Sequence, residues 1–269
     1  MGDTMTQNAI NPDTPYVLHE RDGDVVKLTL NRGEKFNPLS EEMLTVLQTQ
    51  LDAIAKDATA RLVILAANGK AFCAGHDLKQ MRASPSAAYY KKLFDQCSKM
   101  MLTIQQMPQP VIARVQGIAA AAGCQLVAMC DLAVASQEAT FAVSGINYGL
   151  FCSTPSVGLS RNMGRKQAME MLLTGEFIDA QAALERGLIN RIVPLQELDQ
   201  AISALTESIL AKPAVSIAMG KQLFYRQLEM GISAAYQLAG ETMACNMMDE
   251  AALEGVQAFI EKRAPGWKP

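Results

Sequence analysis

Two stretches of small residues hold the chemistry available to this 269-residue chain. The first is Lys70-Ala71-Phe72-Cys73-Ala74-Gly75-His76-Asp77-Leu78, and the second is Gln116-Gly117-Ile118-Ala119-Ala120-Ala121-Ala122-Gly123-Cys124-Gln125. Each reads as a strand passing through a glycine turn into a helix. Such a junction leaves backbone N–H groups free at the helix start, where they stabilise developing negative charge. Four alanines and two glycines in the second stretch let a ligand come close to the main chain. Taken singly, either stretch is a weak signal, because a glycine turn that opens a helix is usually structural.

Other chemistries are short of residues. With only His19 and His76, a multi-histidine metal site is excluded as an expectation. The six cysteines form no CxxC pair and most lie in apolar surroundings, which reads as free thiols in the core of a protein from a reducing compartment, the cytoplasm. Lys plus Arg (24) nearly balance Asp plus Glu (27) with no basic block, so no nucleic-acid partner is expected. No apolar run reaches the length of a membrane span, and no membrane partner is expected. The start matches the loose myristoylation pattern M-G-x-x-x-[ST], but a flexible leader over 1–15 is the simpler reading.

The elements that must position the two stretches alternate. Tyr16 to Arg21 and Val25 to Leu30 flank Asp22-Gly23-Asp24 as a hairpin. Ser40 caps a helix whose apolar face is Met43, Leu44, Leu47, Leu51 and Ile54. Leu62 to Ala67 is a strand buried on both faces, and a helix over 86–107 follows, stopped by Pro108 and Pro110. Val111 to Val115, Leu132 to Ala135, Phe141 to Val143 and Ile189 to Val193 read as further strands, the last preceded by a helix capped by Asp179. From Leu195 the pattern becomes helical throughout, over 195–211, 214–230, 233–248 and 250–262. The expected organisation is a leader (1–15), an α/β core (16–194) and a helical subdomain (195–269). With 49% apolar residues, a chain of this length builds a large core unaided. Met219, Met230, Met243, Met247 and Met248 read as core filling rather than as the lining of an acyl pocket.

The motifs taken in order resemble the crotonase superfamily, the enoyl-CoA hydratase/isomerase family. The matching residues are Leu30-Asn31-Arg32 with Asn37-Pro38, the Phe72 to Leu78 segment, Pro110 to Asp131, Leu172-Leu173-Thr174-Gly175 with Ala180 and Ala182, Gly187-Leu188, and Phe259 to Arg263. They span nearly the whole chain. Within the family, Gly149 to Pro155 and Ala121 to Gln125 point to one branch in particular.

The resemblance implies a spiral of ββα units with a helical C-terminal subdomain, assembling as a homotrimer or a dimer of trimers. It implies an acyl-CoA thioester as substrate or ligand, with coenzyme A as part of that substrate and no separate cofactor. Two backbone amides of the family's oxyanion hole fall on His76 and Ala122, and removing one such donor costs roughly 3–4 kcal/mol of transition-state stabilisation. CoA contacts fall on Glu34, Lys35 and Phe36, on Ala74, Asp77, Leu78 and Lys79, and on Phe259 and Lys262, the last two reaching CoA from a neighbouring subunit.

One departure bears on the reaction. Family hydratases carry glutamates at the positions of Gln125 and Gly145, and both carboxylates are missing here. Hydration needs one group to take a proton from water and another to deliver one to the α-carbon, and neither an amide nor glycine does this. Efficient hydration is therefore not expected. Ser144, Asn147, Tyr148, Cys152, Ser153 and Thr154 follow the second position, but none is a good base at neutral pH without a partner. The alternatives are a non-catalytic acyl-CoA binder, or a decarboxylase of malonyl-type CoA esters using His76, since decarboxylation chiefly needs the oxyanion hole.

Overall fold

A computed structural model describes residues 14–83 and 85–267, so the expected leader lies outside the described residues except for Thr14 and Pro15. Strands β1 (Val17–Asp22) and β2 (Val25–Leu30) pair antiparallel around Gly23, whose φ of 54° suits the tight turn. Helix α1 (Glu41–Ile54) starts at Ser40, whose hydroxyl accepts from the Met43 amide at 3.2 Å. Its five apolar positions expected from periodicity are the buried ones.

One unit then recurs: a buried strand, a short strand of a second sheet, and helix. First come β3 (Leu62–Ala67), β4 (Ala71–Cys73), α2 (Leu78–Ala83) and α3 (Ala87–Gln106). Next are β5 (Val111–Val115), β6 (Ile118–Ala120) and α4 (Ala122–Met129). The third unit is β7 (Leu132–Ser136), β8 (Thr140–Ala142), a 3-10 turn (Ser144–Tyr148), α5 (Ser153–Asn162) and α6 (Arg165–Thr174). The spiral closes through β9 (Ile178–Asp179), α7 (Ala180–Glu185) and β10 (Arg191–Val193). Among the described residues, the larger sheet has the order β1-β2-β3-β5-β7-β10, parallel from β2 onward, and the smaller has the order β4-β6-β8-β9. This is the spiral α/β fold expected from the sequence.

Helices α8 (Leu198–Leu210), α9 (Ala214–Gln227), α10 (Ile232–Met247) and α11 (Glu250–Ile260) complete the chain. Helix α9 is tied to the core by a buried ion pair. Lys221 Nζ donates to Asp131 at 2.6 Å and to the carbonyls of Ile104 and Gln109 at 2.8 Å each. Tyr225 donates to the other Asp131 oxygen at 2.9 Å.

Three expectations need correction. Met230, Met243, Met247 and Met248 do not fill the core: they are exposed, as are Tyr236, Phe259 and Ile260. Periodicity identifies an apolar helix face but not whether that face meets its own chain. The small strand β9 and the helices α5 and α6 have no counterpart in the sequence reading. A strand of two residues leaves no alternation to read, and α5 and α6 each bury only three residues. Five of the six cysteines are free and buried, while Cys245 is exposed.

Candidate functional site

The two small-residue stretches come together because glycines let their backbones touch. Gly75 has φ 95°, and a methyl group built on it would lie 2.9 Å from Ala121 Cβ and 3.3 Å from the Ala122 nitrogen. A methyl group on Gly123 would overlap the Cys73 carbonyl, so the first turn of α4 rests directly on β4. The turn is anchored on each side: Leu39 N–H donates to the Gly75 carbonyl at 2.8 Å, and Ala121 N–H donates to the Ala142 carbonyl at 2.8 Å. The amides of His76 and Ala122, by contrast, donate to no protein acceptor among the described residues. Ala122 is the first residue of α4, so its N–H has no partner within the helix.

Both residues line a cavity of about 800 Å³. Glu34, Lys35, Phe36, Ala74, Asp77, Leu78, Lys79 and Gly145 line it as well. Asn37 holds the Glu34–Phe36 turn in place. Its buried side chain accepts from Arg32 N–H at 2.7 Å and donates to the carbonyls of Asn68 and Ala71 at 2.8 and 2.9 Å. Asp77 is partly committed elsewhere: its carboxylate accepts from the amides of Lys79 and Gln80 and so caps α2. Gln125 does not line the cavity; it is buried in α4, and its Oε1 has no hydrogen-bond partner. Phe259, 85% exposed at the end of α11, and Lys262 beyond it also lie away from the cavity of their own chain. The sequence reading missed the apolar wall formed by Phe94, Ile118, Leu150, Phe151 and Phe177. These residues come from four separate elements and connections, so no local pattern links them.

At Gly145, the space for a side chain is taken. A methyl group there would lie 2.5 Å from the Leu150 carbonyl oxygen and 2.7 Å from Cys152 Sγ, and the Gly145 amide donates to that sulfur at 3.3 Å. Burial raises the Cys152 pKa, which keeps the group a thiol at neutral pH. Ser144, Asn147, Tyr148, Ser153 and Thr154 share the same wall, and no carboxylate stands among them.

His76 is held in one tautomer. Its Nδ1 lies 3.2 Å from the Leu39 carbonyl, which can only accept, so Nδ1 carries the proton and Nε2 offers a lone pair. Nε2 has no partner, and the ring packs edge-on against Phe94 with centroids 5.6 Å apart. Burial lowers the pKa of this imidazole, with the Leu39 contact opposing. The ring is neutral at physiological pH.

Residues 20–269 match the family described as enoyl-CoA hydratase/isomerase. The chain is 43% identical over 255 residues to the human enoyl-CoA hydratase domain-containing protein 3, mitochondrial, covering 94% of this chain and 83% of that protein. Among solved structures, an enoyl-CoA hydratase from Mycobacterium smegmatis is 62% identical with a TM-score of 0.93, covering 94% of this chain and 99% of that one. The human domain-containing protein 3 structure is 40% identical with a TM-score of 0.90, covering 94% and 100%. The branch indicated by Gly149 to Pro155 and Ala121 to Gln125 is this domain-containing protein 3 branch.

The cytoplasmic expectation does not hold. The rat, frog, zebrafish, human and mouse relatives at 40–43% identity are all named as mitochondrial. Buried free thiols report only that nothing has oxidised them, and that condition does not single out the cytosol. With its motifs, spiral fold and relatives in agreement over nearly its whole length, the chain belongs to the enoyl-CoA hydratase/isomerase family of the crotonase superfamily.

Proposed function

We propose that the cavity binds an acyl-CoA thioester, whose carbonyl oxygen is received by the His76 and Ala122 amides. The observation that carries this reading is the pair of amides without protein acceptors, packed against each other on one wall of the 800 Å³ cavity. Fixed donors of this kind stabilise charge on a thioester oxygen without reorganising. Lys35 and Lys79 supply positive charge at the cavity for CoA phosphates, while Phe36 and Leu78 offer exposed apolar surface to its pantetheine arm. Phe259 and Lys262 serve CoA bound to a neighbouring subunit. The exposed apolar residues of α9 to α11 support assembly into a trimer or a dimer of trimers.

Hydration by a two-carboxylate mechanism is not supported. Each missing acid or base lowers the rate by roughly 10² to 10⁴. The protein therefore binds acyl-CoA, and any turnover relies on the polarised carbonyl. Calorimetry with a panel of acyl-CoAs, run beside a crotonyl-CoA hydration assay against a relative with both glutamates, tests this. Submillimolar binding with hydration at least a hundredfold slower is expected. Absence of binding refutes the acyl-CoA reading, and equal hydration refutes the inference from Gln125 and Gly145.

A second reading is decarboxylation of a malonyl-type CoA ester. It is favoured by His76 lining the cavity beside the free amides as a neutral imidazole, whose Nε2, enclosed and unpartnered, would be freed for a ligand by a turn of the ring. If His76→Ala leaves such an activity unchanged, the histidine has no part in it.

A further inference from the structure

Two non-glycine residues lining the cavity have positive φ: Phe36, in the ordinary left-handed helical region, and Ala121, whose backbone suits a side chain less well. With φ 50° and ψ −119°, it occupies a region that glycine enters freely and L side chains rarely adopt. Its amide is locked to the Ala142 carbonyl at 2.8 Å, and the residue that follows is the first of α4, so both neighbours hold it there. Non-glycine residues kept in such regions cluster at functional sites, where the surrounding structure over-determines them. A glycine here would make the same turn without its methyl group, so the methyl is the feature to explain.

The methyl group is well placed to act on a ligand. Ala121 lines the cavity, and its Cβ would lie 2.9 Å from any Cβ on Gly75. Gly75 precedes His76 and Ala121 precedes Ala122, so the methyl stands in the seam between the residues that carry the two free amides. A carbonyl received by those amides brings its α-carbon close to this seam, and the α-carbon's substituents must share the space with the methyl group.

We propose that Ala121 is a specificity-determining residue that selects acyl-CoA ligands unbranched at the α-carbon. The inference rests on the acyl-CoA reading above and deepens it by naming the substrate class. The methyl group cannot yield by rotating a side chain, because alanine has no rotamer to change, and its backbone is held by β8 and by α4. An added methyl on the ligand therefore meets a fixed wall. In apolar pockets one methylene changes selectivity by roughly 10- to 200-fold.

Butyryl-CoA and isobutyryl-CoA are suitable probes, because they are isomers that differ only in branching at the α-carbon. Their Kd values are measured by calorimetry for the native protein and for Ala121→Gly, with thermal unfolding as a check on folding. Glycine tolerates this φ, so the variant is expected to unfold at or above the native temperature. The native protein is expected to prefer butyryl-CoA by about tenfold or more, with the ratio falling towards one in Ala121→Gly. If butyryl-CoA binds and the ratio is the same in both proteins, Ala121 is not the selector, while the acyl-CoA reading stands. If neither compound binds the native protein, the acyl-CoA reading falls and this inference with it.

Discussion

The Gly145 amide donates to Cys152 Sγ at 3.3 Å, and a methyl group on Gly145 would stand 2.7 Å from that sulfur. The loop from Gly149 to Cys152 folds back over Gly145 and occupies the space where the family resemblance puts a catalytic side chain. A backbone carbonyl and a thiol fill the room that a side chain at 145 would need.

Gly145→Glu will therefore not restore hydration. The Leu150 carbonyl, at 2.5 Å from the first added carbon, is main chain and cannot swing aside as a side chain would. Forcing groups into packed space costs about 1–3 kcal/mol. A lower unfolding temperature and no gain in crotonyl-CoA hydration are expected. A variant that unfolds at the native temperature and hydrates faster would show that the loop yields.

Asp77 acts as the cap of α2, and its charge is secondary. Asn supplies an equivalent oxygen to the Lys79 and Gln80 amides, whereas Ala does not. Asp77→Ala should lower stability by about 1 kcal/mol and weaken binding of acyl-CoA through the displaced Leu78 and Lys79. Asp77→Asn should leave both nearly unchanged. Equal loss of affinity in the two variants would assign the effect to the carboxylate charge.

Lys221→Met leaves Asp131 buried without its cation. Removing one partner of a buried pair costs about 3–5 kcal/mol, while an apolar replacement of both is far milder. Urea unfolding of Lys221→Met, and of the double variant with Asp131→Leu, checks this. The double variant is expected to recover part of the loss. No loss in the single variant would mean that water reaches the pair freely.

His76 sets a pH signature. Burial depresses its pKa, so the folded protein resists protonation where the unfolded chain, with an ordinary imidazole near 6.5, accepts a proton. The stability it contributes is complete above pH 6.5 and is lost as pH falls through the folded value. NMR titration of the His76 ring should give a pKa below the ordinary imidazole value of about 6.5. A His76 value at or above 6.5 would mean that the imidazole is better solvated than its packing against Phe94 implies.

Much of the fold was legible because local chemistry specifies it. The Ser40 and Asp179 caps, the Gly23 turn and the buried strands Leu62–Ala67 and Val111–Val115 each depend on residues within a few positions of one another. The family motif is similarly local, and it was enough to identify the family and to nominate His76, Ala122, Gln125 and Gly145 as candidate positions. The sequence by itself therefore determined the family, and it places a glutamine and a glycine at 125 and 145. Tertiary structure decided the rest, because those features arise where distant segments meet. Only packing shows that Leu150 and Cys152 close the space at Gly145, that Gln125 sits behind the cavity wall, and that Met243 and Met247 of α10, with Met230 and Met248 flanking it, face outward. The strain at Ala121 is of the same kind: alanine there is unremarkable in sequence, and its positive φ is imposed by what β8 and α4 hold on either side.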